Sequence, residues 1–221
     1  MSEYSPQTLS QRMILTAAMP FDDLQAIEKL MTDYPDSLGL AVLPSYLKSA
    51  RMMLPKVKES KLIGLVGYPT GGVTTKTKVN EIRDMYYEEA DAFHVVVNTS
   101  FVLSGNWEDV ECELLSVVQA AADRPVSLIL EAAYLSDPQI MRLNNICVEV
   151  GIKSIGTSTG WLPKNPDREQ IKRISEMVYQ RMTIMAAGAV SLDQVNEYLE
   201  AGADQIIIRQ QHAEAILAQV V

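Results

Sequence analysis

Ser154-Ile155-Gly156-Thr157-Ser158-Thr159-Gly160-Trp161 begins as a short buried strand and runs directly into a small, hydroxyl-rich turn. A strand ending in Thr-Ser-Thr-Gly offers backbone N–H groups and hydroxyls to whatever lies above it, and in α/β proteins ligands bind at such strand ends. The stretch holds no titratable side chain. Seven further apolar runs of strand length share the chain with it, and each is followed by a helical pattern.

These runs predict strands near Met13–Ala17, Leu38–Leu43, Leu62–Tyr68, Phe93–Asn98, Val126–Leu130, Thr183–Ala187 and Gln205–Ile208. The helices between them carry their own start and stop signals. Asp22 is the expected cap of a helix with Leu24, Ile27, Leu30 and Met31 at helical spacing, and Tyr46–Val57 is expected to be the next helix, with Pro55 fraying its end. Thr74 or Thr75, the pair Asp137-Pro138, and Ser191 open later helices, whereas Gly151 and Gly202 close two of them. Strict alternation of short buried strands with helices implies a parallel sheet with helical crossovers. Eight units favour a closed (β/α)8 TIM barrel over an open doubly wound sheet. No GxGxxG follows the first strand, so a dinucleotide fold has no support. No linker or low-complexity run divides the chain, and residues 1–221 are expected to form one barrel domain.

Composition narrows the function. The 221 residues carry a formal charge of −9, which argues against a general nucleic-acid surface and suits a protein handling small molecules. Two cysteines, Cys112 and Cys147, and two histidines, His94 and His212, are too few and too scattered for a His/Cys metal site. No apolar run approaches the ~18 residues of a membrane span, and no charged-then-apolar leader opens the chain. A cytoplasmic protein with no membrane partner is expected. In a barrel of this kind the site lies at the C-terminal ends of the strands. The residues predicted there are Tyr68-Pro69 with Thr70–Gly72, Asn98, Glu131, Thr157–Gly160, Gly188 and Arg209.

Val66-Gly67-Tyr68-Pro69 with Gly71, Thr74 and Thr75 resembles the glycine–aromatic–proline loop of deoxyribose-phosphate aldolases. Val97-Asn98 with Ser104-Gly105, Ile129-Leu130-Glu131, Thr157-Ser158-Thr159-Gly160 and Ala186-Ala187-Gly188 resemble further family segments, in the family's order and along nearly the whole chain. The resemblance implies a class I aldolase barrel with a phosphosugar-type pocket, no cofactor, and aldol cleavage through a lysine Schiff base. That chemistry needs an amine of lowered pKa that attacks a carbonyl.

The positions to which the resemblance assigns this chemistry hold other residues. The family's Schiff-base lysine stands immediately before Thr-Ser-Thr-Gly, where this chain has Gly156. The second lysine, which lowers the pKa of the first, falls at Met185, and the proton-relaying aspartate of the fourth strand falls at His94. Met13-Ile14-Leu15-Thr16 replaces an Asp-His-Thr-Leu pattern, and Leu43 stands where the second strand carries asparagine. Lys153 lies at an odd offset from Gly156 and so points away from the barrel interior, and Lys164 lies past the turn. The gap at Gly156, opposite Met185, is expected to leave room for ligand or water. Of the family's phosphate grip, Thr159, Gly160 and Gly188 remain, and Arg209 supplies a fork for phosphate or carboxylate where serines are usual.

Three readings follow. The first is a diverged aldolase-like barrel that binds a small phosphorylated or carboxylated metabolite through Asn98, Thr157, Thr159, Gly160, Gly188 and Arg209, with Schiff-base chemistry lost. The second is a lyase or isomerase acting on a sugar phosphate through His94 and Glu131, the two either forming an acid–base couple or serving structural roles. The third is a non-catalytic partner or regulatory subunit. By the resemblance, a homodimer is the expected assembly.

Overall fold

The computed structural model describes residues 5–54, 60–178 and 181–220. Eight strands close into a barrel in sequence order: β1 (Met13–Ala17), β2 (Gly39–Val42), β3 (Lys61–Val66), β4 (Ala92–Val96), β5 (Val126–Ile129), β6 (Ser154–Gly156), β7 (Thr183–Ala187) and β8 (Gln205–Arg209). All pairs are parallel, and β1 meets β8 with Leu15 opposite Ile208. The fold is the (β/α)8 barrel that the alternation predicts.

Ten α-helices among the described residues accompany the strands: α1 (Pro6–Ser10), α2 (Leu24–Asp33), α3 (Leu47–Met53), α4 (Thr75–Tyr87), α5 (Thr99–Ser104), α6 (Trp107–Ala121), α7 (Asp137–Val150), α8 (Arg168–Val178), α9 (Leu192–Glu200) and α10 (Gln210–Leu217). Strands buried on both faces need apolar side chains in both directions. Ile14, Ala41, Ile63, Leu65, Val96, Ile129 and Met185 fill the interior, while Leu15, Leu40, Leu62, Phe93 and Leu128 pack outward beneath the helices.

Thr74, Ser191 and Gly151 cap helices as read from the sequence, and Ser136 adds a capping box ahead of Asp137-Pro138. Asp22 is a correction. The cap of α2 is Asp23, whose carboxylate accepts the N–H groups of Gln25 and Ala26, while Asp22 accepts the Met19 N–H at 2.7 Å and shapes the preceding turn. A 3-10 turn at Pro44–Tyr46 precedes α3, which is shorter than the expected helix, and Pro55 and Val57 lie outside the described residues.

Two helices hold the strand ends that frame the mouth. Lys78 of α4, fully buried, donates to the Val96 carbonyl at 2.8 Å and to Glu113 of α6 at 2.7 Å. The same Glu113 oxygen accepts the Asn98 N–H at 3.3 Å, and Glu81 accepts the Gly67 N–H at 2.7 Å. Burial pushes the Lys78 amine down and the Glu113 carboxyl up, and the attraction between the two opposes both shifts. Gly71 is required where the loop after β3 crosses β4: at φ +67°, a Cβ there would lie 2.0 Å from the Val97 carbonyl oxygen.

Candidate functional site at the barrel mouth

Thr159, Gly160, Gly188 and Arg209 converge on one cavity of about 120 Å³ at the C-terminal face. The turn after β6 builds one wall. Gly160 adopts φ +71°, and Arg209 Nη2 donates to its carbonyl oxygen. This contact lays the guanidinium along the cavity, and among the described residues no other hydrogen bond engages the Arg209 side chain. Gly188 supplies the opposite wall at φ +101°, and a Cβ there would lie 2.5 Å from Asn165 Cγ. An arginine fixed by one donor, with its other donors beside the Gly188 backbone, makes an anion-binding arrangement.

Glu131 organises this turn. Its Oε1 accepts the Thr159 N–H at 3.2 Å and the Thr159 hydroxyl, and its Oε2 lies 3.4 Å from the Ser158 hydroxyl. Ser158 in turn reaches Asn165 at 2.8 Å and accepts the Gly160 N–H at 2.8 Å. Among the described residues no hydrogen bond or ion pair joins His94 to Glu131, and of the two alternatives read for Glu131 the geometry matches the structural one, in which it accepts loop N–H groups. The carboxylate is held by the turn it folds.

His94 points into the barrel, where a small cavity of about 20 Å³ also touches Thr16, Tyr68, Ser158 and Thr159. Burial alone pulls its imidazole down to about 4, so it is neutral at pH 7. Tyr68 donates to the Thr159 carbonyl at 2.9 Å, and burial raises its phenol.

Two residues expected to contact ligand have other roles. The Asn98 side chain caps α5, accepting the N–H groups of Ser100 at 3.1 Å and Phe101 at 3.4 Å. The Thr157 hydroxyl accepts the Ala187 N–H at 3.1 Å and ties β6 to β7. Both are polar groups at strand ends whose acceptors are claimed by nearby backbone.

The expected space at Gly156 is filled. A Cβ there would lie 2.5 Å from Ile129 Cδ1 and 3.4 Å from Ile207 Cδ1. Gly156 pairs with Ile129 on one side and Met185 on the other, and the Ile129 side chain leans over the position that carries none. Lysines are placed elsewhere. Lys153 is exposed ahead of β6, Lys164 is exposed beyond the turn, and Lys78 sits outside the strand wall. Lys29 lines a second, outer cavity, paired with Asp33 at 2.6 Å, and this contact raises its amine. Among the described residues no lysine lines the inner cavity or the barrel interior.

Thr16, Asn165 and His212 line the inner cavity although the sequence did not single them out as site residues. Thr16 was legible from alternation, two positions from inward-facing Ile14. Asn165 and His212 come from a loop and a helix start, where no periodic signal exists.

No family model matches the chain. A deoxyribose-phosphate aldolase of Klebsiella pneumoniae is 38% identical over 170 residues, covering 76% of this chain and 68% of the relative. One from Rhizobium meliloti is 30% identical over 209 residues, covering 89% and 84%. Among solved structures, the aldolase QR15 superposes with a TM-score of 0.87 at 25% identity, covering 96% of this chain and 95% of its own. The tetrameric deoxyribose phosphate aldolase of Aeropyrum pernix shares the fold, with a TM-score of 0.85 at 24% identity and coverage of 97% and 91%. By sequence and by fold, the chain belongs to the deoxyribose-phosphate aldolase family.

Proposed function

We propose that this barrel binds a small phosphorylated or carboxylated metabolite at its mouth and does not cleave it through a lysine imine. The observation that carries the reading is the interior at Gly156, where Ile129 packs over a position with no side chain and no described lysine is near. An imine needs a neutral amine within reach of the carbonyl. Lys29 is held protonated by Asp33, and Lys78 is enclosed between helices and strand wall. Arg209 and the Gly188 backbone supply the anion contacts, with Thr159 and Gly160 shaping the wall and Asn165 supporting the Gly188 turn. The same reading takes residues 1–221 as one domain in the cytoplasm. No helix among the described residues is long and apolar enough to cross a membrane. Exposed Leu115, Met141 and Val148 on α6 and α7 provide apolar surface for a homodimer.

The test is borohydride reduction in the presence of deoxyribose 5-phosphate or acetaldehyde, followed by intact-mass measurement. No adduct is expected. A stable adduct on any lysine would overturn the reading.

One observation favours a second reading. Among the described residues no hydrogen bond reaches the His94 ring, which touches the interior cavity as a neutral imidazole. A neutral imidazole can take a proton from a bound sugar phosphate, as an isomerase or lyase requires. Turnover of such a substrate that survives His94→Ala would remove this histidine from the mechanism.

A further inference from the structure

The opposite, N-terminal face of the barrel carries a cavity of about 510 Å³, larger than either cavity at the mouth. That volume lies within the ~300–1,000 Å³ of small-molecule pockets. The cavity sits where α7 ends and where β6, β7 and β8 begin. Gly151, the left-handed cap of α7, turns the chain at its edge. The Thr183 N–H donates to the Lys153 carbonyl at 2.8 Å, which sets two strand starts side by side. Asp204 joins them from the start of β8 by accepting the Ile184 N–H at 2.8 Å.

Three charged side chains line this cavity, and each keeps hydrogen-bonding capacity. Among the described residues no hydrogen bond or ion pair engages the Lys153 amine, and Arg181 spends one donor on Asn145 at 3.3 Å. A guanidinium has five donors in a planar fork, so Arg181 retains most of its own. Asp204 uses one carboxylate oxygen on Ile184, and among the described residues nothing donates to the other. The rest of the wall is apolar: Ile152 and Met182 are buried, and Val148 is 39% exposed. The end of α7 adds a further field, because the carbonyl end of a helix carries partial negative charge and favours a cation.

We infer that this cavity is a second ligand site, separate from the mouth, and that it takes a free apolar α-amino acid. Two cations without a carboxylate partner select an anionic group. The open oxygen of Asp204 and the α7 carbonyl end disfavour the second charge of a phosphate and select an ammonium beside the anion. An α-amino acid carries a carboxylate and an ammonium on one carbon. Its carboxylate meets Lys153 and Arg181, its ammonium meets Asp204, and its side chain covers Val148, Ile152 and Met182. Those three residues favour an aliphatic side chain over a polar one, because they remove apolar surface from water and offer no hydrogen-bond partner.

The experiment is titration of the intact, isotope-labelled protein, read by amide chemical shifts, with leucine and three relatives that each lack one group. Isocaproate has no ammonium, isoamylamine has no carboxylate, and glycine has no side chain. Leucine is expected to shift the amides of Gly151, Ile152 and Thr183 with a Kd of about 1 mM, and each relative to bind about tenfold more weakly. Asp204→Asn, which keeps an acceptor for Ile184 and removes the charge, should weaken leucine about tenfold and leave isocaproate unchanged. Lys153→Ala with Arg181→Ala should weaken leucine and isocaproate alike and leave isoamylamine unchanged. Thermal melts establish that the variants are folded, and the three relatives carry the same test on the native chain if a variant is unstable. No shift at this face, shifts confined to the mouth amides of Gly160 and Gly188, or equal binding of leucine and isocaproate would each overturn the inference. Leucine binding indifferent to both Asp204→Asn and the double variant would overturn it as well.

Discussion

Gly156 and Ile129 make a quantitative test of how the barrel interior is packed. Gly156 has no left-handed backbone requirement, and in a strand Gly→Ala at a compatible φ normally adds about 0.5–1 kcal/mol of stability. Here the new Cβ would sit 2.5 Å from Ile129 Cδ1, so Gly156→Ala is expected to destabilise by about 1–3 kcal/mol through overpacking. Ile129→Val deletes that δ-methyl and no other atom of consequence. Alone it should cost about 0.5–1.5 kcal/mol. In the double variant the nearest remaining atoms are Ile207 Cδ1 at 3.4 Å and Ile129 Cγ1 at 3.7 Å, which are ordinary contacts. The alanine should then become neutral or stabilising, giving a coupling of about 1–3 kcal/mol that favours the pair. Urea unfolding of the four proteins measures it, and in a chain of 221 residues each ~1 kcal/mol also moves Tm by about 2–4 °C. If the two substitutions add without coupling, or if Gly156→Ala alone stabilises, Ile129 does not occupy the space and the packing argument fails.

His94 and the buried ion pair give two more tests. The folded imidazole titrates near 4 against an ordinary 6.5, so the unfolded chain binds the proton first as pH falls. The corresponding stability is fully present above about pH 6.5 and is lost toward pH 4, by roughly 3 kcal/mol in all. His94→Gln should flatten that part of the pH–stability curve relative to the native chain, and an unchanged slope would refute the assignment. For the pair, Lys78→Met alone leaves the Glu113 charge buried without its partner and should cost about 3–5 kcal/mol. Lys78→Met with Glu113→Leu should be more stable than Lys78→Met alone. A double variant no better than that single one would show that the charges contribute more than their mutual compensation.

Much of the fold was legible in the sequence because strand alternation and helix caps are local. Thr74, Ser191 and Gly151 were readable as caps from their neighbours alone. Asp22 and Asp23 were not distinguishable, since either can cap and only the turn geometry decides between them. The site was legible by position more than by role. Asn98, Thr157 and Thr159 look alike as polar residues after a strand. Yet Asn98 closes a helix end, Thr157 bonds across to β7, and only Thr159 lines the cavity. The filling of the space at Gly156 depends on the rotamer of a neighbour 27 residues earlier in the chain, paired with it only through strand register. No local pattern encodes that.

The Lys78–Glu113 pair carries a consequence for how such a protein can change over time. Its partners are the backbone of Val96 and Asn98, and it lies outside the strand wall. None of its hydrogen bonds involves His94, Gly156 or Met185. The device that keeps the mouth in shape is thus separate from the residues presented inside the barrel. An ancestor could trade one interior side chain for another in single steps without loosening the frame, which makes this architecture evolvable in its chemistry while it stays conservative in its form.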